Sequence, residues 1–307
     1  METTTSADGT ATLLSRDAAA YAGLTVATLG WASAFIAGKV VLAEMTPLVA
    51  SAWRYAVAAV ILLPFALRGA RGVHWRPLLA PLAVLLVCGG IVYPWCFLSS
   101  LRDTSATNSS LLIALNPVFT VLAAPFVGER LNRHRMVGVL LAMCGAVIVI
   151  THGEVARLLA LSLNRGDVFA LGAAVSWATF NIFGRRVVLH LSPAAINCLI
   201  YTVGGIALCG LGASQHPLQQ ILLASRAAWG GILVMSILAS VLAGQLFLVG
   251  LRTIGVSRAV VFIYLVPVLT ALLSSLLLDE SLLLSQVAGG AAVLLGVYLS
   301  SRGDAGH

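Results

Sequence analysis

The stretch WASAFIAGKVVLAEMTP, residues 31–47, returns as WATFNIFGRRVVLHLSP at residues 177–193, a constant 146 positions later. Trp31/Trp177, Ala32/Ala178, Ile36/Ile182, Gly38/Gly184, Val41/Val187 and Pro47/Pro193 are identical, and Lys39/Arg185 keeps its charge. Tyr55 and Tyr201 extend the match. A second block follows in the same order at an offset of 150: FLSSLRDTSATNSSLLIALNPVFT (97–120) lies over FLVGLRTIGVSRAVVFIYLVPVLT (247–270), with nine identities in 24. One residue later in register, Glu129 meets Glu280, Gly138 meets Gly289 and Gly145 meets Gly296. Apolar segments match by chance; Trp, Pro, Gly and Arg at fixed offsets do not. The chain is therefore an internal repeat, the first thing a sequence reading should look for.

Composition says what is repeated. Of 307 residues, 60% are hydrophobic and 9% charged, and the mean hydropathy is +1.00. A soluble domain of this size needs far more charge to cover its surface. Apolar runs of about 20 residues recur, the length that crosses a bilayer core, and the short alternating strands of a barrel are missing. The expected fold is an all-α polytopic membrane protein. Ten spans are read at 20–42, 47–67, 78–101, 104–127, 135–151, 166–188, 193–213, 228–250, 256–278 and 284–301. They divide into a polar tail (1–19), a first five-helix repeat (20–151), a linker (152–165), a second five-helix repeat (166–301) and a short C-terminal tail (302–307). The first run is too long for a signal-peptide core and has no clear cleavage site, so it reads as a retained span. An odd number of spans per repeat starts the second half from the opposite side of the membrane. That makes the repeat inverted, a design that places a substrate site near the midplane between the halves.

The net charge of +7 would suggest nucleic acid in a soluble chain. Here it is a topology signal, and no nucleic-acid partner is expected. Twelve arginines fall on the side of the two termini and five basic residues on the other. The positive-inside rule puts both termini in the cytoplasm of an inner-membrane protein. The five cysteines lie in apolar runs without a Cys-x-x-Cys pair and read as packing residues.

Trp31 and Trp177 sit near mid-span, whereas interfacial tryptophans belong at span ends; a pseudo-two-fold would bring both to one cavity. Polar residues within spans are functional candidates. Ser33 and its twin Thr179 either face that cavity or bond their own helix backbone. Asn181 lies one turn beyond Trp177. Trp95 and Gln245 hold equivalent places in spans 3 and 8. Tyr93 precedes Pro94, Asn116 precedes Pro117, and Tyr264 lies one turn before Pro267. Proline frees a carbonyl, so polar neighbours either satisfy the backbone or bind substrate. Arg54, within span 2, either has a structural role or pairs with a substrate carboxylate. No Asp, Glu or His falls near a span centre, which predicts facilitated diffusion or exchange in place of an obligatory proton relay. Sparse mid-membrane positive charge argues against phosphate-bearing cargo. No metal site, cofactor, ATP-binding loop or catalytic motif is present in the sequence.

Two five-span repeats with W-A-S/T at 31–33 and 177–179, Leu-Arg before spans 4 and 9, Pro117 and Pro267, and the GERLNRHRMVGVLLAMCGAVIV stretch (128–149) resemble the EamA-type members of the drug/metabolite transporter superfamily. The likeness covers residues 20–301 and looks close to the YddG-type amino-acid exporters of the inner membrane. It implies export of small metabolites and a cavity lined by spans 1, 3, 4, 6, 8 and 9. The expected partners are a small-molecule substrate, an amino acid or similar metabolite, and the lipid bilayer, and a monomer is compatible with such a site. An exporter of lipophilic or cationic drugs is the alternative, and an integral-membrane enzyme acting on a lipid is a more distant one.

Overall fold

The computed structural model describes residues 5–69, 76–123, 133–151, 153–154, 164–254 and 262–302. Among them every regular element is helical. The helices are α1 (Thr5–Leu42), α2 (Pro47–Gly69), α3 (Arg76–Asp103), α4 (Ala106–Ile113), α5 (Asn116–Ala123), α6 (Arg133–Thr151), α7 (Arg165–Val188), α8 (Pro193–Leu211), α9 (Pro217–Leu223), α10 (Arg226–Ile254), α11 (Leu265–Leu277) and α12 (Leu284–Arg302). Among the described residues six helices are long and apolar enough to cross a membrane: Ala18–Leu42, Pro47–Leu67, Arg76–Asp103, Arg165–Gly184, Pro193–Leu211 and Arg226–Ile254. Three further apolar helices are shorter: Met136–Val149, Phe262–Leu277 and Leu284–Gly296. The fourth expected span, 104–127, is broken into α4 and α5. Much of the 152–165 linker, the Gly128–Glu129 pair and residues 303–307 lie outside the described residues.

The helices start where the sequence supplies caps. Ser105, Ser192 and Ser225 accept the N–H of Asn108, Ala195 and Ala228, and Asn164 accepts that of Gly166. Each covers one of the donors that a helix start leaves unpaired. Pro193, at the first position of α8, loses no bond there.

Packing runs across the halves. α2 lies along α8 and α6 along α12; α1 packs on α10 and α11, while α3 and α5 pack on α7. At one end of the bundle the segments between helices are laced together. Glu280 accepts the N–H groups of Ala106 and Thr107 at 3.0 and 3.5 Å, a carboxylate at a helix N-terminus. Glu44 takes the N–H and hydroxyl of Ser225 at 2.7 and 2.5 Å, which hold its carboxyl below the usual range. Thr46 bonds Gln215 and Gln220, and Asn164 bonds the Asp103 carbonyl.

Lipid tails give no hydrophobic drive to helix association, so membrane helices rely on close backbone approach through small residues. The α6–α12 crossing does this. A Cβ on Gly145 would lie 2.6 Å from the Gly289 carbonyl oxygen and 2.6 Å from the Val293 nitrogen. Gly145→Val is expected to destabilise the protein by about 1–3 kcal/mol. Gly230→Val, where a Cβ meets nothing within 4 Å, should change stability by less than about 0.5 kcal/mol. Thermal unfolding of both variants in detergent checks the contrast.

Candidate functional site

The centre of the bundle is built around two irregular turns. In α3, residues Leu86–Val92 form a π-helical segment, and in α10, residues Met235–Leu242 do the same. Their starts differ by 149 positions, close to the 150-residue offset of the repeat. A π turn moves hydrogen bonds from i−4 to i−5: Tyr93 N–H reaches the Cys88 carbonyl and Ala243 N–H the Leu238 carbonyl. Carbonyls lose their helical donors there, and Pro94 contributes no N–H of its own. Side chains from neighbouring helices donate to carbonyls in and beside these turns. Tyr55 in α2 donates its hydroxyl to the Gly89 carbonyl at 2.8 Å, and its repeat twin Tyr201 in α8 donates to the Ser240 carbonyl at 2.9 Å. Ser176 donates to the Cys88 carbonyl and Ser51 to the Pro94 carbonyl. The rings of Tyr55 and Tyr201 lie 4.6 Å apart, centroid to centroid.

Trp31 and Trp177 do meet at the middle. Their rings lie edge to face at 6.2 Å, and Tyr93 packs 4.8 Å from Trp177. Phe247 contacts Trp31 at 5.0 Å, and Phe180 stacks on Trp177 at 4.9 Å. Trp31, Tyr93 and Trp177 form the common wall of two small chambers, of about 50 and 40 Å³. The first is completed by Arg54, Tyr55, Asn197, Tyr201, Gly244 and others, and the second by Phe35, Asn116, Ile263 and Pro267 among others. Both are far below the roughly 300–1,000 Å³ of a ligand-filled pocket.

Arg54 is 5% exposed. Its Nε donates to Ser240 Oγ at 2.8 Å, and that hydroxyl donates in turn to the Met235 carbonyl. Its guanidinium carbon lies 5.6 Å from the ring centres of both Tyr55 and Phe97. Its Nη1 is buried without a partner. Asn197, the sole amide in α8, is buried too, and its Nδ2 likewise lacks a partner. Gly244 leaves the space above that amide open: a Cβ there would lie 3.0 Å from Asn197 Nδ2 and 3.1 Å from the Tyr201 hydroxyl.

The other sequence candidates divide. Asn116 donates Nδ2 to the Ile113 carbonyl at 3.1 Å, the acceptor that Pro117 cannot serve, and its Oδ1 is buried without a partner on the second chamber. Ser33 spends its hydroxyl on the Gly30 carbonyl and Thr179 on that of Val175. Ser33 and Asn181 are half-buried outside both chamber linings. Trp95 does not face the centre. It is 39% exposed, packs against Phe169, and lines a broad depression with Arg102, Asp103 and Arg165 at the helix ends. Gln245 donates to the Pro193 carbonyl at 3.3 Å and Tyr264 is buried in the core, both away from the chamber linings. Sequence reading passed over Asn197 and took Tyr55 and Tyr201 only as a repeat match. A lone amide in an apolar helix was the available signal for Asn197.

Six membrane-length helices among the described residues mark a multi-pass membrane protein. The EamA-like transporter family profile matches residues 19–151 and again 164–302. The chain belongs to that family, within the drug/metabolite transporter superfamily. It is 27% identical over 270 residues to the uncharacterized transporter YyaM of Bacillus subtilis, covering 87% of this chain and 88% of that one. It is 25% identical over 285 residues to a "probable amino-acid metabolite efflux pump" of Salmonella typhimurium, covering 89% and 91%. A counterpart with the same description in Escherichia coli is 25% identical over 288 residues, covering 89% and 91%. A protein of known crystal structure, 19% identical, superposes with a TM-score of 0.59 over 93% of this chain and 96% of that one, a likeness of fold.

The tyrosine-to-carbonyl bonds generate a prediction. Tyr201→Phe keeps the ring and strands the Ser240 carbonyl inside the bundle, so a loss of about 1–3 kcal/mol is expected. Thermal unfolding in detergent measures it, with Thr253→Val, whose hydroxyl bonds only its own exposed helix, as the neutral reference.

Proposed function

We propose that this protein exports small neutral or zwitterionic metabolites across the bacterial inner membrane by alternating access. Amino acids with aromatic or other apolar side chains are the foremost cargo, and no proton relay is obligatory. The observation that carries the reading is the aromatic partition at the bundle centre, where Trp31, Tyr93 and Trp177 separate two chambers. An apolar side chain fits between such rings, and the turning of the rings or a shift of their helices merges the chambers into space for it. Asn116 adds a free carbonyl oxygen to the same wall.

The architecture proposed is ten spans in two inverted five-helix repeats. Its support is the double family match, the paired π turns, the Tyr55–Tyr201 contact and the reciprocal packing of α1 on α10 and of α3 on α7. The arginine distribution supports cytoplasmic termini. The printed description of the Salmonella typhimurium and Escherichia coli relatives supports the amino-acid class. Export of cationic drugs is the weaker reading, because among the described residues no carboxylate lines either chamber to meet a cation.

Counterflow in proteoliposomes tests the proposal. Vesicles preloaded with unlabelled amino acid, without a proton gradient, should accumulate labelled phenylalanine, tryptophan, methionine or threonine above empty vesicles. Silence towards all four, with folded and inserted protein, rejects the amino-acid class. In the active system Trp177→Ala should cut the exchange rate by about tenfold or more, the scale of losing one large aromatic contact. Trp95→Ala, away from the chambers, should stay within about twofold.

A further inference from the structure

Arg54 presents an electrostatic problem that the transport reading leaves open. A guanidinium keeps its charge in proteins, and a charge within a membrane bundle is costly unless paired. Its described hydrogen bond goes to a neutral hydroxyl, Ser240 Oγ, and its nearest rings, Tyr55 and Phe97, offer quadrupoles and no countercharge. Residues of α10 hold Arg54 at both ends: the Ser236 hydroxyl donates to its backbone carbonyl at 2.9 Å, and Ser240 Oγ accepts from Nε at 2.8 Å. The side chain is thus fixed from α10 with one terminal nitrogen left unsatisfied. Asn197 brings a second unsatisfied N–H donor to the same chamber, under the opening left by Gly244.

We infer that Arg54 and Asn197 form a carboxylate subsite, and that the carboxylate is the group by which this protein selects its cargo. A carboxylate has two oxygens and accepts only. One oxygen takes the charge-assisted bond from Arg54 Nη1 and the other the amide N–H of Asn197, which neutralises the buried charge and satisfies both donors. The rest of the ligand lies against Trp31, Tyr93 and Trp177. Among the described residues no carboxylate is available there for an α-ammonium, so the amine is dispensable. The cargo class is a monocarboxylate with an apolar or aromatic tail, of which apolar amino acids are one case. The inference rests on the transport reading for the chamber being a cargo site, and it widens that reading beyond amino acids.

Binding to the purified full chain in detergent tests it, independently of transport. The probes are 3-phenylpropanoate against 3-phenylpropanamide, and N-acetylphenylalanine against its amide. Each carboxylate is expected to bind about ten- to a hundredfold more tightly than its amide, the range for hydrogen bonds to charged groups. In Arg54→Gln that ratio should collapse to about one, whereas Arg54→Lys, a point charge without the fork, should keep part of it. Asn197→Asp supplies an internal partner for Arg54 and should abolish the preference for carboxylates while keeping the fold, which covers the case of an unfolded Arg54→Gln. A purely structural Arg54 would move stability and leave the carboxylate-to-amide ratio untouched. Equal affinity of each carboxylate and its amide, no binding by either carboxylate, or an unchanged ratio in Asn197→Asp overturns the subsite. Because 3-phenylpropanoate has no amine, its result stands apart from the counterflow result: silent amino-acid exchange with a preserved ratio removes the amino acids and keeps the subsite.

Discussion

Inside a bilayer no water is present to satisfy a stray backbone group, so any departure from α-helix must be repaired from within the protein. This constraint organises the centre of the molecule. The π turns of α3 and α10 and the break before Pro117 each release carbonyls at mid-bundle. Tyr55, Tyr201, Ser176, Ser51 and Asn116 donate to carbonyls in and beside these segments, and each comes with a fixed direction because its hydrogen bond is taken. The chamber walls are therefore a by-product of backbone repair. Side chains bound to freed carbonyls cannot wander, and the rings they carry stay where the chambers need them.

The same geometry explains why a site can exist among close-packed helices. A π turn widens the helix locally and adds a residue to the turn. In α3 this widening falls at Gly89 and Gly90, where α8 comes so near that a Cβ on Gly204 would lie 2.3 Å from the Gly90 carbonyl oxygen. Elsewhere the helices pack through Gly and Ala to near contact, as α6 and α12 do. The free volume of the described centre is gathered on either side of Trp31, Tyr93 and Trp177. Aromatic rings in edge-to-face contact are held by modest energies, on the order of 1 kcal/mol per pair beyond burial. Such a partition resists opening less than a backbone contact would, which suits the alternating access proposed above.

Arg54 supplies the contrasting element, an interaction whose strength depends on what is bound. Its cost while unpaired and its gain when paired both grow as water is excluded. Aromatic walls accept many apolar shapes, whereas a buried cation accepts few chemical groups. If the proposed subsite holds, together they describe a site tolerant of the tail of its ligand and exacting about its head.

Much of this was legible in the sequence. Span lengths, the 146- and 150-residue offsets and the mid-span position of Trp31 and Trp177 follow from composition and spacing alone, because a bilayer fixes helix length and a repeat fixes relative position. The meeting of the two tryptophans followed from symmetry. Which polar residues face the chambers did not. Ser33 and Thr179 turn their hydroxyls to their own helices, Trp95 and Gln245 look away from the chambers, and Arg54 and Asn197, from two of the four spans expected to stay outside the cavity, look in. The physical reason is angular. One residue added by a π turn rotates everything after it by about 100°, enough to carry a side chain such as Trp95 or Gln245 from one face to the next. Sequence gave no sign of either π turn. It determined the helical class and the apolar runs of membrane length; tertiary packing alone decided which residues meet one another at the bundle centre and which are left with an unspent hydrogen bond.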